Sequence, residues 1–208
     1  MVIAVAAYLL GSIPTGYLVA RARGIDIRAV GSGNIGATNV FRMVGKTAGA
    51  FALIVDGLKG YAACTWLSDG VLALLGGPTT NTELCRILAG MTAVLGHNYT
   101  CWLKFKGGKG IATSAGVYFA LAPLAAGIAL VTWIVTAVLT RYVSIASIAA
   151  AVALPAAVWL TPNSVVLRIV TTALGLLAIY KHKSNIQRLL NGTERRLGQP
   201  SATPEANK

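Results

Sequence analysis

The 208-residue chain is 55% hydrophobic and only 12% charged, with a mean hydropathy of +0.67, which excludes an ordinary soluble domain and points to an integral membrane protein. Its formal net charge of +12 does not make it a nucleic-acid binder, because the cations are interleaved with apolar stretches and form no soluble basic face. Cys64, Cys85 and Cys101 show no CxxC spacing and no His partner at ligand intervals, so neither a metal nor a disulfide framework is expected.

An apolar helix needs about 20 residues to cross the hydrocarbon layer, fewer inside a bundle. Residues 2–20 form the first candidate; its first cations, Arg21 and Arg23, follow it, so it reads as a retained helix with its N-terminus outside, not a signal peptide. Pro14, with Gly11 and Gly16 around it, predicts a kink. A loop rich in Gly, Ser, Asn and Thr follows, ending at Arg42. The second span is predicted over 47–67, where Asp56 and Lys59 lie three apart and can pair at depth. After a cation-free connection, 68–82, comes a short third span, 83–95, in which Glu83 and Arg86 are expected to pair in the same way. His97 fits either an interface hydrogen bond or catalysis.

A second basic glycine loop carries Lys104, Lys106 and Lys109. Residues 111–122 and 123–140 read as a tight helical hairpin broken at Pro123, since about 30 residues is too long for one crossing. The sixth span, 143–160, opens with Ser144 and Ser147, which suit either a substrate oxygen or helix packing. The seventh, 165–180, runs into a basic segment containing His182, Asn185 and Glu194. The fold class predicted is thus all-α: a polytopic membrane protein with seven transmembrane helices, N-terminus outside and C-terminus cytoplasmic. Residues 1–198 form one domain and 199–208 a disordered polar tail. This count puts fifteen of the eighteen Lys and Arg on the cytoplasmic side, the exceptions being Lys59, Arg86 and Arg168.

The chemistry should then face the cytoplasm. Glycines let backbone N–H groups approach an anion closely, so the loop from Gly31 to Arg42 reads as a phosphate cradle. The loop from Gly107 to Thr113 has similar chemistry, and two such loops suit two phosphorylated molecules side by side. Gly31-x-Gly33-x-x-Gly36 matches a dinucleotide fingerprint, but no strand precedes it, and neither loop has the spacing of an ATP-binding P-loop. The second, fourth and sixth helices begin on this face, where their positive dipole ends favour anions. His182 is the side chain suited to moving a proton near neutral pH, and Asn185, three residues on, shares its face if the helix continues. A rival reading is a transporter of anionic solutes, which Asp56, Lys59 and the Pro14 region would serve.

Taken in order, Gly31-Ser-Gly-Asn-Ile-Gly-Ala-Thr-Asn39 with Arg42, Gly107-Gly-Lys-Gly-Ile-Ala-Thr113, Arg141-Tyr-Val-Ser144 and His182-x-x-Asn185 closely resemble the bacterial acyl-phosphate:glycerol-3-phosphate acyltransferase family, PlsY. The resemblance runs from about Tyr8 to Glu194 and implies a bacterial inner-membrane enzyme. Such an enzyme transfers a fatty acyl group from acyl phosphate to the sn-1 hydroxyl of glycerol 3-phosphate, giving lysophosphatidic acid and phosphate, the first step of phospholipid biosynthesis. It implies no cofactor and no metal. Ser32, Gly33, Asn34, Thr38, Asn39, Arg42, Gly107, Gly108, Lys109 and Gly110 become phosphate-binding candidates, His182, Asn185 and Ser144 catalytic ones, and Glu194 a structural residue. Membrane lipid is the expected surrounding, and a soluble acyl-phosphate synthase is a partner the basic loops leave open. Acyl-CoA chemistry is not expected, because no Asp stands five residues after His97 or His182; serine acylation is not expected either, because no Gly-x-Ser-x-Gly elbow is present.

Overall fold

The computed structural model describes residues 1–77 and 81–199 and is all-helical, with no strand among the described residues. The first predicted span is broken as Pro14 requires, into α1 (Val2–Ser12) and α2 (Thr15–Arg21). α3 (Ala37–Met43) lies inside the first loop, and α4 (Lys46–Ala62) follows. The connection expected at 68–82 is partly helical instead: a π-turn at Ala63–Leu67 carries α4 straight on into α5 (Ser68–Leu74). The polar sequence Ser68-Asp69-Gly70 looks like an exit from the membrane, but Asp69 sits in the first turn of α5 and is neutralised across the interface.

α6 (Thr82–Asn98) is 17 residues long, longer than its apolar core suggests, because its last turn, Gly96 to Asn98, is buried against neighbouring helices. α7 (Ile111–Leu121) and α8 (Pro123–Thr140) are separated only by Ala122, as the hairpin reading expects, with proline at the first position of α8. α9 (Val143–Leu160) and α10 (Val165–Lys181) follow. The chain then bends by 51° at His182 into α11 (Lys183–Leu190), so the seventh helix does not continue straight. By length and composition alone, α1 with α2, α8 and α9 qualify as membrane spans, and α10 with α11 is a bent fourth.

Large apolar side chains such as Trp66, Leu124, Val131, Val138, Leu160 and Leu176 point outward, while the interior is built largely from Ala and Gly. Lipid removes the hydrophobic drive between helices, so close backbone contact through small residues does the packing. α4 crosses α7 where a Cβ on Gly116 would collide with the carbonyl of Gly57, and one on Gly60 with that of Thr113. α1 meets α6 in the same manner, at Gly11 and Gly96. A third packed region lies outside the bundle proper: Ala20, Ile27, Ile35, Val40, Ala48 and Leu103 enclose a small apolar core under the first loop. That loop is therefore a folded unit and not a flexible connector.

Candidate active site

The first loop is shaped by one side chain. Asn39, 4% exposed, donates from Nδ2 to the carbonyls of Ile27, Val30 and Asn34 and accepts the N–H of Ser32 at Oδ1. Its polar atoms are spent on the loop, which positions Ser32, Asn34 and Thr38 and starts α3 so that Arg42 faces inward. Asn34 accepts from the N–H of Gly36, leaving its amide N–H groups free. Arg42 reaches across to the carbonyl of Arg195 (3.2 Å).

The second loop departs from the cradle expected of it. The N–H groups of Gly107 and Gly108 are not turned toward an anion; they donate to the carbonyls of Asn98 (3.2 Å) and His97 (3.0 Å) at the end of α6. What enters the site is Lys109, with the first turn of α7 at Gly110, Ile111 and Ala112. Of the three helix starts expected at the site, those of α7 and α9 line the cavity, whereas the start of α4 does not and the first turn of α3 stands there instead.

The third group comes from the bend at His182. Burial of this residue (3% exposed) lets Nδ1–H donate to the carbonyl of Ala178 (2.7 Å), which leaves the Nε2 lone pair free. Burial and the nearby Lys109 cation lower its pKa to about 4, so the ring is neutral at physiological pH. The backbone of the bend brings Asn185 back to the same side, its N–H donating to the carbonyl of His182. Lys109 Nζ donates to Asn185 Oδ1, Asn185 Nδ2 donates to Glu194 (2.7 Å), and Arg188 Nε donates to the other Glu194 oxygen (2.7 Å). Burial opposes ionisation of Glu194, but these hydrogen bonds from Asn185 and Arg188 hold its pKa below the usual value. Burial drives Lys109 down to about 8, Glu194 pulling it up and Arg188, Arg42 and Lys181 pushing it further down. Burial likewise lowers Arg42, against Glu194.

These groups meet in one cavity of about 310 Å³. Its polar end holds Ser32, Asn34, Thr38 and Arg42 from the first loop, Lys109 and Gly110 from the second, and Ser144, His182, Asn185, Arg188 and Glu194. Its other end runs between α7, α8, α9 and α10, walled by residues such as Tyr118, Ala126, Trp133, Leu154 and Leu174. Gly107 and Gly108 do not line it, and Gly33 lines only a separate crevice beside it, with Tyr99, Lys181 and Lys183. Arg188 is a site residue that sequence reading missed; the signal was there, three residues after Asn185 on a strongly amphipathic helix. His97 makes the interface contact, its Nδ1 lying 3.0 Å from Lys59 Nζ, which also pairs with Asp56 (2.8 Å), and it stands with Asp56 on the cavity wall as well. The expected Glu83 to Arg86 pair does not form. Arg86 makes a two-pronged contact with Asp69 of α5, and Glu83 accepts from Ser164. Among the described residues no cluster of His, Cys, Asp or Glu could hold a metal.

A cation-rich pocket that continues into an apolar channel inside a helical bundle defines a multipass membrane protein built to handle an amphiphilic anion. The comparisons give that class its particular family. A glycerol-3-phosphate acyltransferase family model matches residues 1–192. A glycerol-3-phosphate acyltransferase of Geotalea daltonii is 44% identical over 93% of this chain and 95% of its own length, and that of Clostridioides difficile 44% identical over 96% of both. The crystal structures of PlsY, an integral membrane glycerol 3-phosphate acyltransferase, in its glycerol 3-phosphate and lysophosphatidic acid forms superpose with TM-scores of 0.85 and 0.82, at 38% and 37% identity over 94% of each chain. The chain belongs to the glycerol-3-phosphate acyltransferase family, and it is a membrane acyltransferase.

Proposed function

We propose that this enzyme transfers a fatty acyl group from acyl phosphate to the sn-1 hydroxyl of glycerol 3-phosphate, releasing lysophosphatidic acid and inorganic phosphate. It does so as a single seven-span domain, residues 1–198, in the bacterial inner membrane, with the N-terminus outside and the site facing the cytoplasm; the polar tail at 199–208 lies, apart from Gln199, outside the described residues. The observation that carries this reading is the joining of a basic polar chamber to an apolar channel in one cavity, which suits a donor with a phosphate at one end and an alkyl chain at the other.

Acyl phosphate is a mixed anhydride and already activated, so the protein supplies proximity and charge, not a covalent nucleophile. Arg42, Lys109 and Arg188 hold the phosphates, with Ser32, Asn34, Thr38 and the first turn of α7 donating to their oxygens. Asn185 and Glu194 aim Lys109, and the unpartnered Ser144 hydroxyl on the cavity wall is left to align the reacting groups. Asn39 acts through the loop it holds, and Gly107 and Gly108 through the attachment of the second loop to α6. The neutral His182 accepts the substrate hydroxyl at Nε2. The hydroxyl oxygen then bonds to the acyl carbon as the carbon–oxygen bond to phosphate breaks. With a pKa of about 4 the imidazole is a poor final base, whereas a phosphate dianion, with a pKa of about 6, takes the proton away.

The test offers purified enzyme glycerol 3-phosphate with acyl phosphate or acyl-CoA in parallel. Lysophosphatidic acid from acyl phosphate alone is expected. Product only from acyl-CoA would overturn the donor assignment, and flux into sealed vesicles without chemistry would restore the transport reading.

A further inference from the structure

A buried ionic cluster, two of whose members, Asp56 and His97, stand on the wall of the cavity, takes no part in the chemistry above. Lys59 Nζ, on a side chain 5% exposed, is 2.8 Å from Asp56 Oδ1 and 3.0 Å from His97 Nδ1, and it donates to the carbonyl of Ile13 (2.9 Å). Two hydrogen bonds, to His97 and Ile13, and the ion pair with Asp56 hold the ammonium, and through it the orientation of the His97 ring. The far edge of that ring faces the second glycine loop. A Cβ on Gly108 would strike the imidazole, its three nearest atoms all belonging to the His97 ring, with Nε2 closest. A Cβ on Gly107 would strike backbone instead, the carbonyls of His97 and Asn98. Neither glycine has positive φ, so close approach and not backbone freedom is what demands them.

We propose that His97 is a positioning residue. Its imidazole, fixed by Lys59, is the surface on which Gly108 rests, and it thereby sets where Lys109 enters the site. The inference rests on the proposed role of Lys109 in holding phosphate. The loop is anchored to α6 by two backbone hydrogen bonds, Gly107 to Asn98 and Gly108 to His97, so the ring behind Gly108 determines how closely it seats. Lys109 is the next residue, and its ammonium is aligned on Asn185.

The experiment is a suppressor cycle built on His97→Asn. Asparagine keeps a polar atom near the position of Nδ1 for Lys59 but lacks the ring edge that a Cβ at position 108 would meet. Two readouts are taken on folded protein. One is the rate at which an amine-acylating reagent modifies Lys109, followed by mass spectrometry with exposed Lys104 and Lys106 as references; the other is kcat/KM for glycerol 3-phosphate. Gly108→Ala and Gly107→Ala are each expected to change Lys109 labelling and to lower kcat/KM by about 10²-fold, as a misplacement near 1 Å does. Adding His97→Asn to Gly108→Ala should return labelling toward wild type and recover roughly tenfold in kcat/KM, a coupling within the range for contacting residues. Adding it to Gly107→Ala should recover nothing. Equal recovery in both backgrounds, or none in either, would overturn the proposal; His97→Ala in the same cycle replaces the Asn variant if that does not fold. Labelling is independent of turnover, so an enzyme inactive with acyl phosphate would sink the functional reading while labelling still decides this one.

Discussion

At the scale of single residues the site is a set of side chains whose charge states are set by burial against the hydrogen bonds and charges of their neighbours. Lys109, with its pKa lowered to about 8 by burial, is charged below that pH and loses its proton above it in the free enzyme. The expected kcat/KM for glycerol 3-phosphate therefore falls as pH rises through about 8, and Lys109→Gln should abolish that limb while lowering the plateau; a pH profile of the two proteins checks this. Asn39 belongs to the same scale but acts through structure. Asn39→Ala leaves the carbonyls of Ile27 and Asn34 and the N–H of Ser32 without their side-chain partner, Val30 keeping the N–H of Gly33, at a cost of about 1–3 kcal/mol or more. A lowered unfolding temperature together with weaker glycerol 3-phosphate binding is the expected result, read by thermal denaturation and calorimetry. Residue type and spacing singled out His182, Asn185 and the two glycine loops, and the family resemblance made Ser32, Arg42 and Lys109 the candidates within those loops. That Asn39 serves the loop, and that Gly107 and Gly108 serve attachment to α6, was not legible, because an asparagine or glycine in a polar loop looks the same whether it meets ligand or backbone.

At the scale of elements the breaks matter as much as the helices. The interruption at Pro14 frees the carbonyls of Ser12 and Ile13 from the helical ladder, and they are taken up by Thr100 Oγ1 (2.6 Å) and Lys59 Nζ. Thr100→Val should then leave a buried carbonyl unpaired and destabilise the protein by about 1–3 kcal/mol, measured as a loss of thermal stability in detergent. Proline and flanking glycines made this break readable from sequence. The π-turn at Ala63–Leu67 was not, since nothing in Ala-Cys-Thr-Trp-Leu distinguishes a five-residue turn from an α-turn. Nor was the pairing of Arg86 with Asp69: spacing along one helix favours Glu83, but the bidentate partner comes from α5, which the sequence pattern had assigned to a loop.

At the scale of the whole molecule, the cavity exists only because α7 to α10 enclose it. Ala126 and Ala151 line its apolar arm, and both side chains are small. Replacing Ala151 with Trp should fill that arm and lower kcat by about tenfold or more for long-chain donors, while glycerol 3-phosphate affinity stays unchanged; a donor chain-length series with a parallel binding titration tests this. The α4–α7 crossing tolerates no such insertion, since Gly116 lies against the backbone of Gly57. Gly116→Leu should give no recoverable folded protein by size-exclusion chromatography of detergent extracts.

The sequence by itself determined the class, the helical stretches and the order of the motifs, because apolar length, the placement of Lys and Arg and the positions of proline are properties of the chain read along its length. The tertiary structure decided which of the motif residues share a chamber, which atoms remain free there, and that the chamber opens into an apolar channel. Those features depend on contacts between residues far apart in the chain, such as Lys109 with Asn185 and Arg42 with Arg195, and on a 51° bend at His182 that no local preference specifies. In a bundle packed through glycine and alanine, small side chains permit close approach at many places, and only the assembled backbones select which approach occurs.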